Sequence, residues 1–106
     1  MAKFLFEARY TADGAKGIAK EGGNARRAAV EKAVAGLGGR LEAFYFAFGD
    51  VDAYVIVDLP DNVTAAAMAF AVGQSGLAST KTVVLLTLDE VDAATKKSVT
   101  YRGPGR

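Results

Sequence analysis

The chain has 106 residues, a formal net charge of +1, and neither cysteine nor histidine. That length predicts one domain, and the near-zero charge argues against nucleic-acid or membrane partners. The missing residue types exclude disulfides, zinc fingers and histidine-based triads, so any catalysis would rest on Asp, Glu, Lys, Arg or Tyr. A charged residue close to the start of the chain argues against a signal peptide. No apolar stretch is long enough to span a membrane, so we expect a cytoplasmic protein.

The first half of the chain predicts one strand and one main helix. Residues 3–10 alternate as a strand does, with Phe4, Phe6, Ala8 and Tyr10 on one face. Residues 11–23 are glycine-rich and predict a turn of helix followed by a loop. Asn24 is the expected N-cap of the next helix. The apolar positions of that helix recur at helical spacing until glycines end it: Val30, Ala33, Val34 and Leu37.

The second half predicts a hairpin, a helix, a strand and a short last helix. Strands at 40–48 and 52–59 are separated by Gly49-Asp50-Val51-Asp52, which makes them antiparallel neighbours. A fourth strand is expected at 80–88, and Asp89 is the expected cap of the last helix. Pro60-Asp61-Asn62 begins the second main helix, with a predicted inward stripe of Val63, Ala66, Ala67, Phe70 and Ala71.

This order of elements predicts a ferredoxin-like α+β fold. In that βαββαβ arrangement, two helices cover one face of a four-stranded antiparallel sheet. We expect one domain over residues 1–97 and a C-terminal arm or flexible tail over 98–106.

The predicted strands are apolar on both faces, which a sheet with one face in water should not be. Each large apolar side chain left in water would lose about 1.5–3 kcal/mol of hydrophobic stabilisation. The tail could cover the second face, but its nine residues are too few for four strands. We therefore predict a homo-oligomer of the dimeric α+β barrel type, joined through the sheet. In the second strand the opposed sets are Leu41, Ala43, Tyr45 and Ala47 against Phe44, Phe46 and Phe48.

The hairpin region carries a family resemblance. The run Phe44-Tyr45-Phe46-Ala47-Phe48-Gly49-Asp50-Val51-Asp52, with Leu59-Pro60-Asp61 downstream, resembles the GYD domain family. The resemblance covers about residues 3–90 and continues into the Asp-Ala-Ala-Thr-Lys-Lys segment; Val51 stands where the family often has tyrosine. It implies a small ferredoxin-like fold and brings no established reaction.

A looser resemblance is to the effector-binding domain of Lrp/AsnC-type regulators. It rests on the spacing of Gly49 and Asp52, of Pro60-Asp61, and of Gly76-Leu77 and Thr82. This resemblance implies small effectors such as amino acids, bound where hairpins meet at subunit interfaces. Dimeric α+β barrel enzymes share the architecture, so the fold does not decide the function.

The hairpin is the first candidate site. Gly49 permits a tight turn, and the carboxylates of Asp50 and Asp52 are suited to a ligand amine. The alternative is ordinary turn chemistry, which uses the same residue types. We expect no metal, because Asp-x-Asp lacks the further ligands of a calcium loop.

The second candidate is an anion site at the start of the first main helix, formed by Gly22, Gly23, Arg26 and Arg27. The alternative is that the arginines pair with Glu21 or Glu31. The segment matches neither common nucleotide-binding glycine pattern, and we expect no cofactor.

The third candidate is a set of tyrosines, Tyr10, Tyr45 and Tyr54, which suit a ligand cavity and an interface equally. Together these features favour an oligomeric small-molecule-binding or regulatory module, with its ligand at a subunit interface near the hairpin. The alternatives are a cofactor-free barrel enzyme, monooxygenase- or isomerase-like, and an assembly protein without a ligand. The expected partners are a second copy and a small molecule, with no nucleic acid and no membrane.

Overall fold

The computed structural model describes all 106 residues and contains one four-stranded antiparallel sheet in the order β2-β3-β1-β4. The elements are β1 (Ala2–Tyr10), α1 (Ala12–Glu21), α2 (Gly23–Gly36), β2 (Arg40–Phe46), β3 (Ala53–Leu59), α3 (Asn62–Gln74), β4 (Ala78–Leu85) and α4 (Leu88–Thr95). This arrangement confirms the predicted ferredoxin-like α+β fold. No helix has the length and apolar character that crossing a membrane requires.

The strand register assigns each side chain to one of two sheet faces. Phe4 lies opposite Val57 and Val84, whereas Leu5 lies opposite Ile56 and Val83. Directly opposed residues share a face, and successive residues alternate. The Phe4 side, here the helix-covered face, forms the hydrophobic core with α2 and α3: Phe4, Phe6, Val34, Leu41, Val55, Val57, Leu59 and Ala65. The Leu5 side is here called the open face.

A β-bulge in β2 corrects the predicted alternation of that strand. The pairing shifts between Leu41 and Ala43, so that Leu41, Phe44 and Phe46 oppose the buried residues of β3. We predicted that Leu41 shares a face with Ala43 and Tyr45, and that is wrong. One extra residue in a strand inverts its alternation from that point onward.

The connection between β1 and β2 is more helical than predicted. The glycine-rich segment forms a ten-residue helix, α1, whose N-cap Thr11 accepts a hydrogen bond from the amide of Gly14. Gly22, at φ 89°, turns the chain directly from α1 into α2 and is the N-cap of α2 without a side-chain bond. Asn24 therefore lies inside the helix, and its predicted capping role is wrong.

The inward stripe predicted for α3 is wrong at Val63, Ala66, Ala67 and Phe70, which are exposed, whereas Ala71 faces the space between α3 and the sheet. Ala65, Met68 and Ala69 contact the core, whereas Val63 is 78% exposed and Phe70 is 69% exposed. α3 is apolar around its whole circumference, so its sequence contains no periodic signal for the buried side. The helix begins at the N-cap Asp61, whose side chain accepts a hydrogen bond from the amide of Thr64.

The chain after β4 lies outside the core. All residues from Leu86 to Arg102 are exposed, and the molecule is elongated, at 56 × 33 × 22 Å. α4 is nevertheless well capped: Thr87, and not the predicted Asp89, forms a capping box with Glu90.

Candidate functional site

A cavity of about 440 Å³ lies between the helix-covered face and the three helices α1, α2 and α3. Fourteen of its twenty lining residues are hydrophobic, so its interior suits an apolar molecule. The sheet contributes Phe6, Ala8, Phe44, Val55 and Ala78, and the helices contribute Ile18, Ala29, Val30, Ala33, Met68, Ala71 and Val72.

Small residues and a close backbone contact explain why the helices leave this space. Gly14, Gly17, Ala29 and Ala33 present little or no side chain to the cavity. A Cβ atom on Gly14 would collide with the backbone carbonyl of Leu77, whereas one on Gly17 would meet nothing within 4 Å. The start of α1 is further held by a 2.9 Å hydrogen bond from the amide of Thr11 to the same carbonyl.

Two charged residues join the cavity lining where α1 meets α2. Glu21 ends α1, and Arg26 lies in the first turn of α2. The Nε atom of Arg26 is 2.7 Å from Oε1 of Glu21, which makes an ion pair. That Nε atom is buried, but its N–H is not aligned with the carboxylate and makes no hydrogen bond. The contact is therefore an ion pair without a hydrogen bond at Nε.

Tyr10, the last residue of β1, adds a phenol to the same part of the lining. Its ring lies 6.4 Å from that of Phe46, which in turn lies 5.1 Å from that of Phe44. Burial raises the pKa of the Tyr10 phenol, partly offset by Arg26, while Asp52 and Glu21 raise it further. The Tyr10 hydroxyl is therefore protonated at neutral pH and can donate a hydrogen bond.

The hairpin residues lie at the same end of the sheet but do not line the cavity. Gly49 and Asp50 are exposed, and Gly49 has φ 97°. The carboxylate of Asp52 accepts a hydrogen bond from the Tyr10 amide at 2.8 Å. This bond joins the hairpin to the end of β1, so it gives Asp52 a structural role, and a ligand contact at the hairpin stays a prediction.

The sheet separates the three candidate tyrosines. Tyr45 and Tyr54 oppose each other on the open face, whereas Tyr10 lies on the helix-covered face. Of the two candidate arginines, Arg26 lines the cavity, whereas Arg27 is exposed and lies outside it. Gly22 forms the turn between α1 and α2, and Gly23 is the first residue of α2.

Sequence reasoning missed the small residues of the cavity wall and treated Glu21 only as a partner for the arginines. The recurrence of Gly14 and Gly17, and of Ala29 and Ala33, at helical spacing was the available signal. No group of three or more acidic side chains is arranged to hold a metal ion.

The open face carries an ion cluster near the start of β1. Lys3 Nζ lies 2.7 Å from Glu42 Oε1 and 2.9 Å from Asp58 Oδ1, and Arg40 lies 3.1 Å from Asp58 Oδ2. Hydrogen bonds to Glu42 and Asp58 raise the pKa of Lys3. The hydrogen bond from Lys3, followed by that from Arg40, lowers the pKa of Asp58.

Comparison with known proteins gives one family match. A family model described as the GYD domain matches residues 4–95, which is most of the chain. No curated protein and no solved structure gives a match. The looser resemblance to Lrp/AsnC-type regulators stays a prediction.

Proposed function

The chain belongs to the GYD domain family, and we propose that it is a small-molecule-binding module whose ligand occupies the cavity between the helices and the sheet. The observation that carries this proposal is the cavity of about 440 Å³ with mainly hydrophobic walls. Pockets for small ligands usually measure about 300–1,000 Å³ and combine apolar walls with a few polar groups.

The polar groups of the cavity support binding more than catalysis. Glu21 and Arg26 neutralise each other as an ion pair, and the pKa of Tyr10 is raised from its ordinary value of 10.0. A general base works best with a pKa near the operating pH, and the pKa of Tyr10 is shifted away from that range. We therefore favour a binding or regulatory module over the monooxygenase- or isomerase-like alternative.

We further propose that the module pairs with a second copy through the open face. The middle of this face is apolar, with Leu5, Ile56 and Val83 side by side. Tyr45 is 71% exposed and Tyr54 is 39% exposed. Charged residues of both signs flank this middle: Lys3, Arg40, Glu42 and Asp58 towards one end, and Glu7, Arg9 and Lys81 towards the other.

An apolar centre with a charged rim is typical of protein interfaces. Mixed charges on one patch also let a two-fold-related copy set acids against bases. The cavity lies on the other side of the sheet, so each protomer would hold its own ligand. This differs from the interface site near the hairpin that the sequence predicted.

A pair of identical substitutions on α3 tests the cavity. Val72 lines it, whereas Val63 is exposed and does not. We expect Val72→Phe to weaken binding of the neutral fluorescent probe N-phenyl-1-naphthylamine by about tenfold, because the added ring occupies the ligand volume. Val63→Phe should leave binding unchanged. Native mass spectrometry of protein purified from its source should show a retained small molecule. Probe binding that is insensitive to Val72→Phe, together with no retained mass, would contradict the proposal.

A further inference from the structure

The charged groups in the cavity indicate its ligand class. We propose that the ligand is an apolar molecule carrying a single carboxylate, and that the guanidinium of Arg26 binds this carboxylate. The inference rests on the proposed function, since it requires the cavity to hold a ligand.

The polar lining is unevenly distributed, which orients the ligand. Tyr10, Glu21 and Arg26 are close enough for the two charges to act on the phenol. Most of the remaining wall is apolar and is contributed by the sheet, α2 and α3. An apolar ligand body therefore fits against the sheet, with one polar group directed to the junction of α1 and α2.

Apart from Glu21, the polar groups at that junction are mainly hydrogen-bond donors. Arg26 has five N–H groups and no acceptor, and its buried Nε–H has no hydrogen-bond partner. Tyr10 adds a protonated hydroxyl, and its elevated pKa keeps the proton in place at neutral pH. A ligand group made only of acceptors matches this set. A carboxylate fits best, because it also carries the charge opposite to that of the guanidinium.

Glu21 is the internal competitor for Arg26. It is the last residue of α1, is followed by Gly22, and its side chain is 36% exposed. Its carboxylate can therefore turn towards water when another carboxylate arrives. Arg26 lies in the first turn of α2, and although its side chain is 33% exposed, its Nε atom is buried. The ligand carboxylate thus replaces the Glu21 carboxylate as the partner of Arg26, and the guanidinium is paired both with and without ligand.

Three molecules with one body and different head groups test the ligand class. These are 4-phenylbutanoate, 4-phenylbutan-1-ol and 4-phenylbutylamine, measured by calorimetry and by displacement of N-phenyl-1-naphthylamine near neutral pH. We expect the acid to bind about tenfold tighter than the alcohol, and the amine to bind most weakly. Glu21→Gln should increase the preference for the acid over the alcohol, because it removes the competitor.

Arginine variants identify the residue that binds the head group. Arg26→Gln should abolish the preference for the acid over the alcohol, and Arg26→Lys should retain part of it. The matched control Arg27→Gln should keep the full preference, since Arg27 lies outside the cavity. Thermal melts of each variant confirm that it is folded.

The outcomes separate this inference from the proposed function. Equal binding of acid and alcohol, a preference that survives Arg26→Gln, or tighter binding of the amine would overturn the carboxylate assignment while leaving a binding cavity. If neither the neutral probe nor any of the three molecules binds, the cavity function is wrong and the ligand class falls with it.

Discussion

The backbone amide of Tyr10 donates a hydrogen bond to Oδ2 of Asp52 at 2.8 Å. In the same region the amide of Asp52 donates to the carbonyl of Ala8 at 2.9 Å, and the amide of Ala47 donates to the carbonyl of Asp52 at 2.8 Å. Asp52 therefore fastens the β2–β3 hairpin to the end of β1. This contact also holds Tyr10 at the place where it lines the cavity.

Replacing Asp52 should lower stability. We expect Asp52→Ala to reduce the free energy of unfolding by about 1–2 kcal/mol, because the Tyr10 amide loses its acceptor. Asp52→Asn should cost less, since its amide oxygen can still accept. Asp50→Ala is the control, because Asp50 is exposed. Urea unfolding measures all three. If Asp52→Ala were as stable as the wild type but bound the neutral probe poorly, that result would support the predicted ligand contact at the hairpin.

Two glycines on α1 should respond oppositely to alanine. Gly14→Ala places a methyl group against the backbone carbonyl of Leu77, so we expect a loss of about 1–3 kcal/mol. Gly17→Ala meets no neighbour within 4 Å and should gain about 0.5–1 kcal/mol, because alanine loses less backbone entropy in a helix. Thermal and urea unfolding decide. Equal effects at the two positions would mean that α1 does not pack against Leu77 in this way.

A charge on the open face should prevent assembly. If the wild type is the proposed oligomer, we expect Ile56→Lys to give monomer or aggregate, because an unpaired charge within an apolar interface is costly. Phe70→Lys is the matched control: Phe70 is exposed on α3, on the other side of the sheet. Sedimentation velocity at micromolar concentration distinguishes the species. A wild type that sediments as an 11.0 kDa monomer would refute assembly through this face.

The ion cluster of the open face should stabilise the fold near neutral pH but not in acid. The pKa of Asp58 is lowered from 3.8 by Lys3 and then by Arg40, so the folded state binds its proton less readily than the unfolded state. The resulting stability is present above pH 3.8 and is lost as the pH falls through the lowered value.

Urea unfolding across this pH range, with and without Asp58→Asn, measures the effect. The wild type should be the more stable protein near neutral pH, and the difference should shrink in acid. Glu31→Gln is the control, since Glu31 is exposed and forms no salt bridge. A difference between wild type and Asp58→Asn that is constant with pH would show that the charge of Asp58 contributes nothing.

The sequence by itself determined the order of strands and main helices and the family. The Phe4, Phe6 and Ala8 alternation located β1, and the short hairpin at Gly49–Asp52 made β2 and β3 neighbours. These signals are local: strand periodicity, turn residues and helix stops each depend on a few consecutive residues. The family match also depends on the sequence alone, and it agrees with the resemblance that the hairpin residues carry.

The tertiary structure alone decided which side chains face each other. The bulge at Leu41 and Ala43 reversed the faces of β2, and α3 gave no sequence signal for its buried side because all its sides are apolar. The cavity requires α1 and α2 to pack near α3, which is distant from them in sequence, and Arg26 joins it because Gly22 folds α1 against α2. Which side chains face each other, and which space they enclose, depends on how the helices and the sheet pack. The periodicity of a single segment does not encode this.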